Sequence, residues 1–119
     1  MKGKVTVMDC LFCEIIKGNI PSTKIYEDDL VFAFNDIAPA APVHVLIVPK
    51  THIASPADIN GENSAVIAHI FEVAAKIAVQ LGLDDGWRVV TNCGEAAGQS
   101  VKHIHFHLLG GKELGWPPC

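Results

Sequence analysis

The sequence predicts an α+β domain, a five-stranded antiparallel sheet with one long and one short helix. Three observations carry that class. Apolar residues recur at helical spacing in only two places, a short stretch after Asp9 and a long one from Asn63 to Leu81. Five short strand-like segments surround the long stretch, three before it and two after. No helix separates neighbouring strands on either side, so a meander and a hairpin replace the regular βαβ alternation of a parallel sheet.

The elements follow in order. Asp9 is positioned to cap a short helix whose apolar stripe is Leu11, Phe12, Ile15 and Ile16, and Gly18 and Pro21 end it. Thr23 to Glu27 reads as a strand and Asp28-Asp29 as a turn. Leu30 to Phe34 is apolar on both faces, which marks an interior strand. Pro39 and Pro42 make the next segment a loop. His44 to Val48 is a third strand, stopped at Pro49 because proline cannot donate to a ladder. Val66, Ile67, Ile70, Phe71, Ala74, Ile77, Ala78 and Leu81 give the long helix its apolar face, Gly82 is its stop, and His69 reads as a surface residue. Trp87 to Thr91 is the fourth strand. A glycine-punctuated loop, 92–100, leads to the fifth, which starts at His103.

Composition bounds the function. The 119 residues suffice for one domain with its own core, here 9–119, preceded by a short extension, 1–8. A net charge of −4 gives no basic surface for a nucleic-acid polymer, although a small phosphorylated ligand needs only a local site. The apolar run near Met1 is too short for a secretory signal, and no stretch is long enough to span a membrane. The expected location is the cytosol, where the four cysteines are thiols or metal ligands rather than disulfides.

Chemistry concentrates in His103-Ile104-His105-Phe106-His107. In an extended chain the three imidazoles share one face and the apolar residues the other, with the outer histidines about 13 Å apart. Isolated histidines are commonly hydrogen-bonded core residues, but three in alternation between Gly98-Gln99-Ser100 and Gly110-Gly111 are hard to derive from packing. Such a face suits metal binding or a nucleophilic imidazole. Cys10-Leu-Phe-Cys13 has the spacing of a zinc-ligand pair, a weak signal by itself, whose bland alternative is two buried thiols at a helix start.

The chain resembles the histidine-triad family, in its Hint branch. The resemblance is carried by the triad and its Gly98-Gln99-Ser100-Val101 approach, by Phe34-Asn-Asp36-Ile37-Ala-Pro, by His44-Val-Leu-Ile-Val-Pro49-Lys50 and by the ending Gly115-Trp116-Pro117-Pro118. It implies hydrolysis of the P–N bond in purine nucleoside phosphoramidates, with His105 as nucleophile and a transient nucleotidyl-histidine. It further implies that His107, Ser100 and His44 assist. Asn92, Gly98, Gln99 and Ser100 would hold phosphate, and Asp36 the ribose hydroxyls. Leu11, Phe12, Ile15, Phe34 and Ile37 would line the base pocket, whose bland reading is ordinary core. Trp116 would reach a partner's site in a homodimer whose sheets join. Lys102 stands where relatives often carry a larger apolar or aromatic residue. Zinc-containing members of the family imply a closed structural site made by Cys10, Cys13, His52 and His103, with no cofactor needed for catalysis.

Two other readings remain open on the residues. One is a zinc-dependent hydrolase that uses all three histidines as ligands. The other is a purine-nucleotide-binding or scaffold protein without turnover. Cys93 and Cys119 have no assigned role.

Overall fold

The computed structural model describes residues 10–118. The 1–8 extension, Asp9 and Cys119 lie outside the described residues. Seven elements follow in order: α1 (Leu11–Lys17), β1 (Lys24–Glu27), β2 (Val31–Asn35), β3 (Val43–Pro49), α2 (Ser64–Gln80), β4 (Trp87–Val90) and β5 (Phe106–Gly110). Two single 3-10 turns, Pro56–Asp58 and Glu95–Ala97, interrupt stretches that read as plain loop. The strands form one antiparallel sheet in the order β1-β2-β3-β5-β4. The predicted meander and hairpin are both present. β2 is interior as expected, and the middle position itself goes to β3, which is buried on both faces over almost its whole length.

The sheet has two apolar faces, because successive side chains alternate. Val31, Ala33, Val45, Ile47, Ile104, Phe106 and Leu108 pack with Ile70, Val73, Ala74 and Ile77 of α2. Burying each of the Val, Ile, Leu and Phe side chains contributes about 1.5–3 kcal/mol, which fixes the sheet against the helix. On the other face Phe32, Phe34, Leu46 and Val48 pack with Phe12 and Ile15 of α1. That face also carries the histidines.

α1 has only seven residues, too few to be stable alone. Its caps explain where it stops and starts. Gly18 adopts φ +85°, a left-handed conformation that costs glycine little, and its N–H bonds the carbonyls of Glu14 and Ile15. The N-cap is Cys10, whose sulfur accepts the Cys13 N–H at 3.2 Å.

His69 is more than a surface residue. Its Nε2 lies 2.7 Å from Asp28 Oδ2 and its Nδ1 3.3 Å from Glu72, tying α2 to the β1–β2 turn. Burial opposes ionisation of Asp28, but hydrogen bonds from His69, the Leu30 and Val31 N–H groups and the Tyr26 hydroxyl outweigh it and hold the carboxyl well below its usual range. The bond to Asp28, against some loss to burial, raises His69. The depressed carboxyl contributes stability above its unfolded pKa of about 3.8, and the raised imidazole contributes below about 6.5. Both are charged between those limits. His69→Leu is therefore expected to destabilise by about 1 kcal/mol near pH 5.5. The loss should shrink toward pH 8.5, as His69 deprotonates in the wild type. Urea melts at the two pH values check this; a loss that grows with pH would reverse the assignment. Among the described residues no helix is long and apolar enough to cross a membrane.

Candidate active site

β5 starts later than the sequence suggests. Only Phe106–Gly110 is in the ladder, while the chain bends through 101–103 and passes through 104–105 without strand pairing. The reason lies in the partners. Ile104 N–H donates to Ile53 O at 2.6 Å, and the His105 carbonyl accepts from Thr91 Oγ1 at 2.8 Å. The side chains still alternate, with Ile104 and Phe106 on the α2 face and the His103 and His105 rings against Phe12 of α1.

Hydrogen bonds fix which nitrogen of each ring carries the proton, since a carbonyl can only accept and a backbone N–H can only donate. His105 Nδ1 lies 2.8 Å from the His103 carbonyl, so Nδ1 carries a proton, and in the neutral form of the ring the lone pair is on Nε2. Phe12 stands edge-on to His105 at 5.0 Å between ring centroids and blocks rotation of the imidazole. His44 Nδ1 accepts the Ala40 N–H at 2.9 Å, so its proton is on Nε2, which donates to His107 Nδ1 at 2.9 Å. A neutral His107 then carries its own proton on Nε2 as a donor. Burial keeps both rings neutral: it pushes His107 down to about 4, helped by His105 and His44, and lowers His44 against the opposing charge of Asp36.

Among the described residues two side-chain clusters have the composition of metal sites, and the proton count separates them. The first is Cys10, Cys13, His52 and His103. His103 Nε2 donates to Pro49 O at 2.9 Å, which leaves the Nδ1 lone pair facing the sulfurs. The Sγ–Nδ1 distances are 3.3–3.6 Å and the two Nδ1 atoms are 3.1 Å apart. Tetrahedral zinc with sulfur at about 2.3 Å and nitrogen at about 2.05 Å puts its ligands about 3.3–3.8 Å from one another. The donor set fits. Burial and the neighbouring Cys10 push the Cys13 thiol up to about 11, and a cation is what converts such a thiol to thiolate near neutral pH. Burial also lowers His103 to about 4, so its ring is neutral, as a ligand must be.

The second cluster is Asp36, His44 and His107. Here His44 already offers one lone pair to Ala40 N–H, so metal on Nε2 would require an anionic imidazolate. This cluster is a hydrogen-bonded relay. Among the described residues His105 joins neither cluster, and the three histidines do not converge on one ion.

The other expected residues are distributed as follows. Phe12, Ile15 and Phe34 are buried in one cluster, and Leu11 is exposed and does not join it. Ile37 is fully exposed on the β2–β3 loop and does not join them. Asp36 Oδ1 accepts the Ala38 N–H at 2.8 Å, a turn contact, while Oδ2 lies 3.4 Å from His44 Nε2. Asn92 Nδ2 donates to Ala97 O at 2.7 Å. Gly98 has φ +95°, a conformation that disfavours any other residue, and closes the 3-10 turn through its N–H to Glu95 O. The Gln99 N–H bonds Gly94 O, so neither of these two N–H groups is directed at a ligand; Ser100 is exposed. The Gln99 side chain is a buried strut, donating to Ala54 O and Val101 O and accepting from Gly94 N. Trp116 is exposed, and Arg88 anchors its segment by donating to Gly115 O at 2.6 Å.

A family model for the HIT domain matches residues 17–114, most of the chain. The chain belongs to the HIT family. It is 46% identical to the purine nucleoside phosphoramidase of Escherichia coli over 108 residues, 90% of this chain and 91% of that one. It is 47% identical to the 14 kDa zinc-binding protein of Zea mays over 110 residues, 91% of this chain and 86% of the relative. Among solved structures, a HIT family hydrolase from Legionella pneumophila superposes with a TM-score of 0.91 at 48% identity, covering 93% of this chain and all of that one.

Within this HIT domain, sequence reasoning missed Thr91 and the Pro49 carbonyl, which hold the histidine segment at both sides. The β4–β5 register, Val90 opposite His107, is the signal that would have found Thr91, since the next residue on β4 must face the chain just before β5.

Proposed function

We propose that this HIT protein hydrolyses purine nucleoside phosphoramidates by nucleophilic catalysis at His105. One observation carries the reading: the Nδ1–H bond to the His103 carbonyl fixes the tautomer in which a neutral ring has its lone pair on Nε2, the atom that would attack. In the first step Nε2 bonds to the α-phosphorus, the P–N bond breaks, and the amine nitrogen keeps the electron pair and takes a proton from solvent through the Ser100 hydroxyl. Water then attacks phosphorus, returns one proton to solvent, and releases neutral His105 and AMP. His107, kept a donor at Nε2 by His44, stabilises charge on the phosphoryl oxygens. Ser100 and Asn92 add donors, the latter by exchanging its bond to Ala97 O. Asp36 has carboxylate capacity left for the ribose diol beyond its turn contact. The apolar group of Leu11, Phe12, Ile15 and Phe34, with Ile37 folding in, takes the base. Purine preference draws its support from the Escherichia coli relative's name.

Zinc held by Cys10, Cys13, His52 and His103 is structural in this reading, since four protein ligands leave no open position. The zinc-binding name of the maize relative supports it. A cytosolic location, where thiols stay reduced, suits the same cluster. A homodimer is supported by the free edge of β4 and by Phe71, Val79 and Trp87, apolar side chains left exposed nearby in the chain order. Trp116 is then free to enter the partner's site.

The test is turnover of an AMP phosphoramidate by protein stripped of metal with a strong chelator, with circular dichroism following the fold. Turnover within about threefold of the untreated enzyme is expected while the fold persists. Loss of turnover with the fold intact would favour the metal-dependent hydrolase, and AMP binding without turnover the scaffold reading. Sedimentation of the same preparation as a single chain would remove the dimer.

A further inference from the structure

A cavity of about 520 Å³ opens between the start of α1 and the segment leading into β5. Leu11, Ala54 and Val101 give it apolar walls, and Cys10 and His52 of the metal cluster close one end. Ser100 and Lys102 also line it, and among the described residues no carboxylate does. Phe12, Ile15 and Phe34, the buried base-pocket residues, are absent from its lining, although Cys10 and Val101 pack against their cluster. The cavity thus borders the base cluster, shares Ser100 with the phosphate site, and includes Ala54 and Lys102, which belong to neither.

Among the described residues Lys102 is the one cationic side chain lining this opening, on a chain whose net charge is −4. Its only ion-pair contact among the described residues is Glu95, at 4.0 Å, with both side chains about four-fifths exposed. A pair that long and that exposed leaves the ammonium available to a ligand.

We propose that this cavity receives the leaving amine and that Lys102 is a specificity residue selecting amines that carry a carboxylate, such as the amino group of an amino acid. The proposal rests on the phosphoramidase reading and deepens it. The leaving amine departs on the side of phosphorus opposite the attacking Nε2, and a carboxylate one or two carbons beyond the nitrogen meets the ammonium at the rim. The amine's carbon chain lies against Ala54 and Val101. Bond changes are those of the first step above; Lys102 takes no proton and acts only by charge.

Two substrates test it: AMP joined through a P–N bond to glycine, and the same conjugate of glycinamide, which is neutral and nearly isosteric. The readout is the ratio of their kcat/KM values, so the differing basicity of the two amines cancels between variants. Lys102→Met is expected to lower the glycine-to-glycinamide ratio about fivefold, the size of one part-exposed ion pair. Lys102→Glu should lower it further, and Glu95→Gln should raise it above wild type. High salt should bring the wild-type ratio down to that of Lys102→Met, because exposed charges are screened. A ratio equal in wild type, Lys102→Met and Lys102→Glu would overturn the assignment while leaving the phosphoramidase reading in place. Turnover of neither conjugate would remove that reading, and this one with it.

Discussion

His105→Ala is expected to lower phosphoramidate turnover by more than about 10⁴-fold while changing AMP affinity less than about tenfold. The asymmetry follows from what the ring touches. His105 is nearly buried and its Nδ1 is spent on the His103 carbonyl, so the imidazole gives a bound nucleotide little beyond the one atom that attacks. Removing it removes the covalent route altogether, whereas the apolar cluster at Phe12 and the donors at His107 and Ser100 stay. The substitution leaves a cavity against Phe12, but the backbone partners of this segment, Thr91 Oγ1 to the His105 carbonyl and Ile104 N–H to Ile53 O, do not use the side chain. A second readout separates nucleophile from mere packing. His105→Gly should regain measurable turnover with added imidazole, and rapid acid-free quenching of wild type should trap a nucleotidyl adduct that the variants lack. Wild-type turnover by His105→Ala would end the assignment.

Much of this arrangement is legible in the sequence, and the limits are physical. The alternation His-Ile-His-Phe-His is a local property, so it fixes the two faces whether or not the segment joins a ladder. Where the ladder begins is not local: it depends on Ile53 and Thr91, far away in sequence, capturing the backbone of 104 and 105. The same holds for the proton positions. Nothing in the sequence around His44 shows that Ala40 N–H occupies its Nδ1, yet that one bond separates the relay from a metal site. Gln99 illustrates a motif residue with two readings. Its place in Gly-Gln-Ser suggests ligand binding, while its side chain holds three loop segments together through backbone groups at 54, 94 and 101. His69 reads as surface because its partner Asp28 lies 41 residues away, across a helix–turn contact no periodicity reveals.

The second large effect is expected at the cysteine cluster. Cys10→Ser with Cys13→Ser should abolish binding of one zinc per chain and lower the melting temperature by about 11–16 °C. A site filled at 100–1,000 times its Kd stabilises by about 2.7–4.1 kcal/mol, and each kcal/mol is worth about 4 °C in a domain of this size. The choice of serine matters. Cys10 is the N-cap of α1 and accepts the Cys13 N–H, a bond that a serine hydroxyl makes as well or better, so the cap survives and the loss reports the metal. α1 is too short to hold itself, and two of the four ligands sit on its first turn, so the cluster fastens it to the His52 loop and to His103. Chelation of the wild type should reproduce the shift without any substitution. Because the Cys13 thiol is pushed up to about 11, zinc must displace its proton, and zinc affinity should rise with pH. Cobalt loading offers an independent reading, since thiolate ligation gives an intense near-ultraviolet charge-transfer band that the double variant cannot show. Metal analysis finding no zinc in the native protein, together with a melting temperature unmoved by chelator, would leave the four side chains as a hydrogen-bonded group only.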